Sequence, residues 1–273
     1  MKGDNEPRRF TVRRLMVILL VLVMAVSGVE FVRDHLESRQ RRREQESLAL
    51  IMSGTTEAVE EETVTEEVLT EAETPQAPPI DFDVLLAQNP DTVGWIRIPD
   101  TRIDYPIVQA EDNETYLHTA FDGSENIHGT IYLDCDSDPD FYGWNHPLYG
   151  HHMRDGSMFK DVIKFKDKDY FKAHQYFEIY TPARTIHLKA VSCYYTDSNG
   201  IVRMTEFSSQ EAFDQWTKER LEPCSFAEIP EHSVDSMFVL VTCSYETNDA
   251  RTLLFAVEVD EDGEVVASGG RNE

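Results

Sequence analysis

Ser236-Met-Phe-Val-Leu-Val-Thr-Cys-Ser-Tyr-Glu-Thr-Asn-Asp-Ala-Arg-Thr-Leu-Leu-Phe-Ala-Val-Glu-Val259 decides how the rest of the chain is read. Residues 237–241 are a short apolar run rich in branched side chains, the pattern of a buried strand. The run ends at Thr242-Cys243, a polar segment turns the chain, and Arg251 opens a second strand-like run over residues 252–259. A thiol at one strand end and a guanidinium at the start of the next can converge on one point. They offer a nucleophile and an anion stabiliser, and a base is still missing.

The candidate base is His151, at the strand end Tyr149-Gly150-His151. Each of the three has a plainer role open to it. A lone cysteine serves as a small buried hydrophobe, a lone arginine as half of an ion pair, and a lone histidine as a structural group.

Outward from these residues the chain reads as mainly β. Residues 81–88 form a short helix capped by Asp81. Residues 93–98 and 103–108 are strands around a turn at Pro99-Asp100, and residues 113–119 make one helical turn. Residues 129–134 form a third strand, and residues 135–146 a loop. A helical stretch runs from Gly156 to about Lys166. Phe171, residues 177–180 and residues 186–195 supply further strands. Ser208-Ser-Gln-Glu211 reads as a capping box, with Glu three residues after Ser. It opens a helix over residues 209–221 that sets Phe213, Trp216 and Leu221 on one side. Seven or eight short strands with two or three helices fit a closed barrel best.

The 273 residues carry a net charge of −26. Residues 1–52 hold ten Lys/Arg against seven Asp/Glu, and residues 53–79 hold eight Glu and no base, leaving −21 for residues 80–273. So acidic a domain does not bind nucleic acid, which needs clustered Lys and Arg. The four cysteines, Cys135, Cys193, Cys224 and Cys243, form no CxxC and read as free thiols. A domain of this length buries enough core without staples.

Residues 15–29 are an apolar run behind Lys2, Arg8, Arg9, Arg13 and Arg14. Two readings compete: a signal peptide cleaved near Ala25-Val26-Ser27, and an uncleaved anchor, the preferred one, whose basic side stays in the cytoplasm. The expected organisation is a cytoplasmic tail and anchor over residues 1–32 and a helical then disordered acidic spacer over residues 33–79. A catalytic domain follows over residues 80–262, with a disordered tail over residues 263–273. The spacer composition cannot bury enough surface to offset ordering entropy. The stretch Ser268-Gly-Gly-Arg-Asn-Glu273 carries neither a hydrophobic tail nor a basic stop.

Leu240-Val-Thr-Cys243, followed eight residues later by Arg251, resembles the nucleophile signature of sortases. Leu148-Tyr-Gly-His151, with Met153 and Asp155-Gly-Ser-Met-Phe159, is similar to the histidine segment of class B sortases. The helix before the nucleophile strand resembles the one that class inserts there. The resemblance covers roughly residues 80–260. It implies a closed eight-stranded β-barrel with an N-terminal helical part, held outside the cell by a single-pass membrane anchor. It implies a cysteine transpeptidase that cuts the sorting signal of a secreted protein and joins it to a cell-wall (peptidoglycan precursor) or pilin amine. It makes Cys243 the nucleophile, His151 the acid/base and Arg251 the oxyanion stabiliser. Asn113, Tyr149 and Tyr194 match positions lining the substrate groove, and Thr242 could contact the signal. Val241 stands where the class often has Ser, which bears on signal preference.

No cofactor is implied. Asp134-Cys-Asp-Ser-Asp-Pro-Asp140 lacks the Gly and Glu of a calcium loop, having Pro139 and Asn145 there, and reads as a solvated turn. His151-His152 lacks a third zinc ligand at sensible spacing. Two other functions use the same residues: a cysteine peptidase releasing the signal to water, and an inactive membrane-tethered binding module.

Overall fold

The structure, a computed structural model, describes residues 80–197, 202–243 and 250–269. The expected anchor and spacer fall on residues 1–79, outside the described residues. Among the described residues no helix is long and apolar enough to cross a membrane.

Asp81 caps α1 (Phe82–Gln88), its side chain accepting from the Val84 amide at 3.2 Å. The chain then builds β1 (Thr92–Arg97), β2 (Asp104–Val108), β3 (Ile131–Leu133) and β4 (Asn145–Tyr149). A 3-10 helix (Phe159–Lys166) and α2 (Lys168–Ala173) precede β5 (Tyr176–Tyr180) and β6 (Thr185–Asp197). Last come α3 (Gln210–Leu221), β7 (Met237–Cys243) and β8 (Ala250–Glu258). The eight strands close into a barrel in the order β1-β2-β3-β4-β7-β8-β6-β5. The pairs β2–β3 and β4–β7 are parallel and the others antiparallel.

Residues 237–241 are each 5 % exposed or less. The run is buried on both faces because the barrel interior takes one and α3 covers the other. Phe238 and Leu240 join the interior cluster with Ile96, Ile107, Leu254 and Phe177. Met237, Val239 and Val241 meet Phe213, Trp216 and Leu221 outside. Each such side chain contributes roughly 1.5–3 kcal/mol relative to exposure.

Four details depart from the sequence reading. Phe171 lies in α2 rather than a strand, because the Asp167 side chain caps the Tyr170 amide and starts a helix there. The cap of α3 is Ser209, accepting from Ala212 at 3.3 Å, one residue later than the expected box. β4 begins at Asn145, inside the expected loop. Residues 263–269 of the expected tail are tied down: Val266 donates to the Glu258 carbonyl at 3.0 Å, and the Ser268 hydroxyl to Asp235 at 2.7 Å.

Candidate active site

Strand alternation decides which side chains reach the outer face. On β7 the interior residues are Phe238 and Leu240, so Thr242 follows them inward and Cys243 follows Val241 outward. On β8 the same rule turns Thr252 inward and Arg251 outward. Thr242 is 2 % exposed and its hydroxyl has no hydrogen-bond partner, which removes that side chain from the expected substrate contact.

The registers line up two transverse rows on this outer face. Tyr132 pairs with Tyr149, Tyr149 with Val241, Val241 with Leu253, and Leu253 with Tyr194. One rung further, Cys243 pairs with Arg251, and Arg251 with Thr196. The Gly150 amide donates to the Val241 carbonyl at 3.1 Å, so the chain just past β4 still follows β7, and the register carried on by two residues puts His151 level with Cys243. The three residues expected to carry chemistry therefore share a rung, and Tyr149 and Tyr194 share the one below it. Gly150 permits this approach: a Cβ there would lie 2.5 Å from Ile131 Cδ1 and 2.6 Å from Phe159 Cγ.

His151 Nε2 lies 2.8 Å from the Leu117 carbonyl. A carbonyl only accepts, so Nε2 carries the proton and Nδ1 is the nitrogen left for proton transfer. The ring also stacks on His118, with centroids 6.0 Å apart. Its neighbour His152, which sequence reasoning did not single out, is buried, and its Nδ1 lies 2.8 Å from the Cys243 carbonyl. The Lys160 ammonium, which only donates, bonds His152 Nε2. The tautomer follows: Nδ1–H donates to the Cys243 carbonyl and pins that peptide.

Asp134 is fully buried, not part of a solvated turn. Its Oδ2 accepts from Asn113 Nδ2 at 3.1 Å, the Tyr149 hydroxyl at 2.8 Å and Arg203 Nε at 3.0 Å. Its Oδ1 accepts from the Asp136 amide at 3.1 Å. Asn113 Oδ1 in turn accepts from the Cys135 amide at 2.9 Å. Both ends of the Asn113 amide are thus engaged within the protein.

Burial first, then the Asp134 carboxylate, pushes the Tyr149 hydroxyl far above its ordinary range. Burial and Asp134 do the same to Tyr132, while Arg203 opposes them; Cys243 and Arg251 also act on that hydroxyl. The Tyr194 hydroxyl is pushed up to about 12 by burial, opposed by the Arg220 guanidinium of α3. The Cys135 thiol is raised by burial and by Asp136 and Asp134, which disfavours it as a nucleophile.

Among the described residues, one group could offer three metal ligands: Asp134, Cys135 and Asp136. Arg203 already bonds both carboxylates there, at 3.0 and 3.3 Å. All four cysteines are free thiols. A cavity bordered by Tyr142, Arg184, Asp235, Ser236 and Glu258 opens where β7 begins and β8 ends, the length of β7 away from Cys243.

The family model for the sortase domain matches residues 96–259. The chain is 33 % identical over 159 residues to sortase B of Listeria monocytogenes, a match covering 58 % of this chain and 65 % of that protein, just under two thirds. The crystal structure of Clostridium perfringens sortase B is similar with a TM-score of 0.62 at 29 % identity, covering 66 % of this chain and 100 % of that one. Sortase B of Bacillus anthracis is similar with a TM-score of 0.60 at 31 % identity, covering 66 % and 84 %.

Proposed function

The chain belongs to the sortase family, in its class B, a family of cysteine transpeptidases, and from that premise we propose that it sorts secreted proteins through a thioester on Cys243. The observation that carries this reading is the shared outer rung of His151, Cys243 and Arg251.

The Cys243 thiol gives its proton to His151 Nδ1, and the resulting thiolate attacks the carbonyl carbon of the scissile peptide bond in a sorting signal. Negative charge develops on that carbonyl oxygen, and the Arg251 guanidinium offers fixed donors to it. The C–N bond breaks as the leaving amine takes a proton from His151, and the acyl group stays on sulfur. An incoming amine then attacks the thioester and gives a proton back to His151. A new amide forms as the C–S bond breaks, and His151 returns that proton to the departing sulfur, which regenerates the Cys243 thiol. Tyr149 and Tyr194, on the rung below, would flank the bound signal, with Asn113 beside Tyr149.

The acceptor is a peptidoglycan-precursor or pilin amine. The apolar run of residues 15–29, behind five basic residues, supports an anchor that keeps the domain on the extracellular side of the membrane.

The test is a library of internally quenched peptides incubated with the full chain, alone and with added amines, and followed by mass spectrometry. Cleavage with covalent joining of an amine is expected. Cleavage that yields only hydrolysed product across many amines would establish the peptidase instead, and no cleavage of any peptide would leave a binding module.

A further inference from the structure

We propose that Asp134 is a positioning residue for this reaction: its buried carboxylate fixes Tyr149 and Asn113 and, through Arg203, fastens the chain after β6 to the end of β3. The substrate half of this inference rests on the function proposed above.

Four protein donors converge on one carboxylate from four separate stretches of chain. Asn113 comes from the connection between β2 and β3, Tyr149 from β4, Arg203 from the segment after β6, and the Asp136 amide from the loop before β4. An ionised carboxylate has about four acceptor positions, and four protein donors meet this one, three at Oδ2 and one at Oδ1. With no exposure to water, its charge is tolerated only while those donors stay. The four stretches are therefore held in one arrangement by a single side chain. Asp134 sits on the side of Tyr149 away from His151, because its own amide bonds the Pro147 carbonyl at 2.9 Å. It supports the lower rung and touches no reacting atom.

The carboxylate also decides what the supported side chains can still do. Tyr149 gives its only proton to Asp134, so its oxygen is left to accept. Asn113 spends one N–H on Asp134 and its oxygen on the Cys135 amide, so one N–H is left to donate. One acceptor and one donor on adjoining side chains suit the backbone of an extended peptide. The ring of Tyr132, stacked on Tyr149 with centroids 5.0 Å apart, holds the ring plane while Asp134 holds the hydroxyl.

The test compares Asp134→Asn, Arg203→Ala and Arg203→Lys in the full chain. Asp134→Asn keeps the volume and turns an amide N–H₂ toward donors. Arg203 has a side chain 56 % exposed, so its truncation spares the core. The probe is the internally quenched peptide that the library screen identifies. Asp134→Asn and Arg203→Ala should each raise KM by about tenfold, the factor expected for losing one hydrogen bond of ordinary net worth, with kcat nearly unchanged. Arg203→Lys should recover part of the loss, and alkylation of Cys243 by iodoacetamide should keep its rate. An unchanged KM, or a fall in kcat alone, overturns the proposal.

A second measurement needs no substrate. In Arg203→Ala, hydrogen exchange should quicken at the Cys135 and Asp136 amides and over residues 202–206, and stay slow in β7 and β8. Unchanged exchange there overturns the latch, even if the enzyme reading fails because no peptide is cleaved.

Discussion

Cys243 on β7 stands opposite Arg251 on β8 at the last paired rung of that ladder, with both side chains on the outer face. A cross-strand pair in an antiparallel ladder has its Cβ atoms about 5 Å apart. An oxyanion formed on a carbonyl attacked by the thiolate therefore lies within reach of the guanidinium.

Arg251→Lys keeps the positive charge and loses the planar fork. Removing one oxyanion donor costs about 100- to 1000-fold in rate, so kcat for peptide cleavage should fall by about that factor. Arg251 is only half-buried, so the thermal midpoint should hold. A kcat near that of the parent would remove Arg251 from the reaction.

His152 should act on kcat through the Cys243 peptide. Small misplacement of a reacting group can cost about 100-fold, so His152→Ala should lower kcat by about 10- to 100-fold with KM little changed. His152→Asn keeps a donor near the Nδ1 position and should recover much of it. Steady-state kinetics on the three proteins would decide. A rise in KM alone would assign His152 to substrate binding instead.

How much of this was legible in the sequence depended on whether a signal was local. The apolar run of β7, the Asp81 cap and the periodic face of α3 are local patterns, and each stands within a residue or two of its reading. The trio of Cys243, His151 and Arg251 was read from short motifs, and register alone brings the three together. Asp134 was misread because its burial is made by Asn113, Tyr149 and Arg203, two of them 21 and 69 residues away in sequence. No window of sequence contains that information. Thr242 was misjudged for a simpler reason: with Cys243 outward, the period of two sends its neighbour inward. His152, read only as a zinc ligand lacking partners, gives no local signal either, because the Cys243 carbonyl that it holds is 91 residues away in sequence.

Phe213 is fully buried between the barrel and α3, in contact with Trp144, Phe207 and Trp216. Phe213→Ala should cost about 3–5 kcal/mol through lost transfer and a cavity. For a domain of this size that lowers the thermal midpoint by about 10 °C, read by calorimetry. Because α3 packs behind Val239 and Val241, the nucleophile strand loses its outer cover, and activity should fall at temperatures below the global transition. A shift of a degree or two would mean that α3 docks independently of this ring.

Gly150→Ala tests the close approach at the end of β4. The added methyl would lie 2.6 Å from Phe159 Cγ, and the aromatic ring cannot move without disturbing the core. Overpacking of this kind costs about 1–3 kcal/mol. Urea denaturation should show that loss together with reduced turnover, since the residue that shifts is the one before His151. Parent-like stability and rate would show that the neighbouring ring yields freely.

Alkali should unfold the protein through its tyrosines. Tyr116, Tyr170, Tyr180 and Tyr194 are each pushed up to about 12, mainly by burial, and Tyr132 and Tyr149 further still. Their folded values are thus raised above the ordinary 10.0 of the unfolded chain. Between those values the native state holds protons that the unfolded state has lost. The stabilising effect is complete below about pH 10 and is lost as pH rises through about 12. The urea midpoint, measured at steps across that window, should decline. Phenolate absorbance from these six residues should appear with the unfolding transition rather than ahead of it. Six phenolates formed while the barrel stays folded would show that water reaches the Asp134–Tyr149 contact.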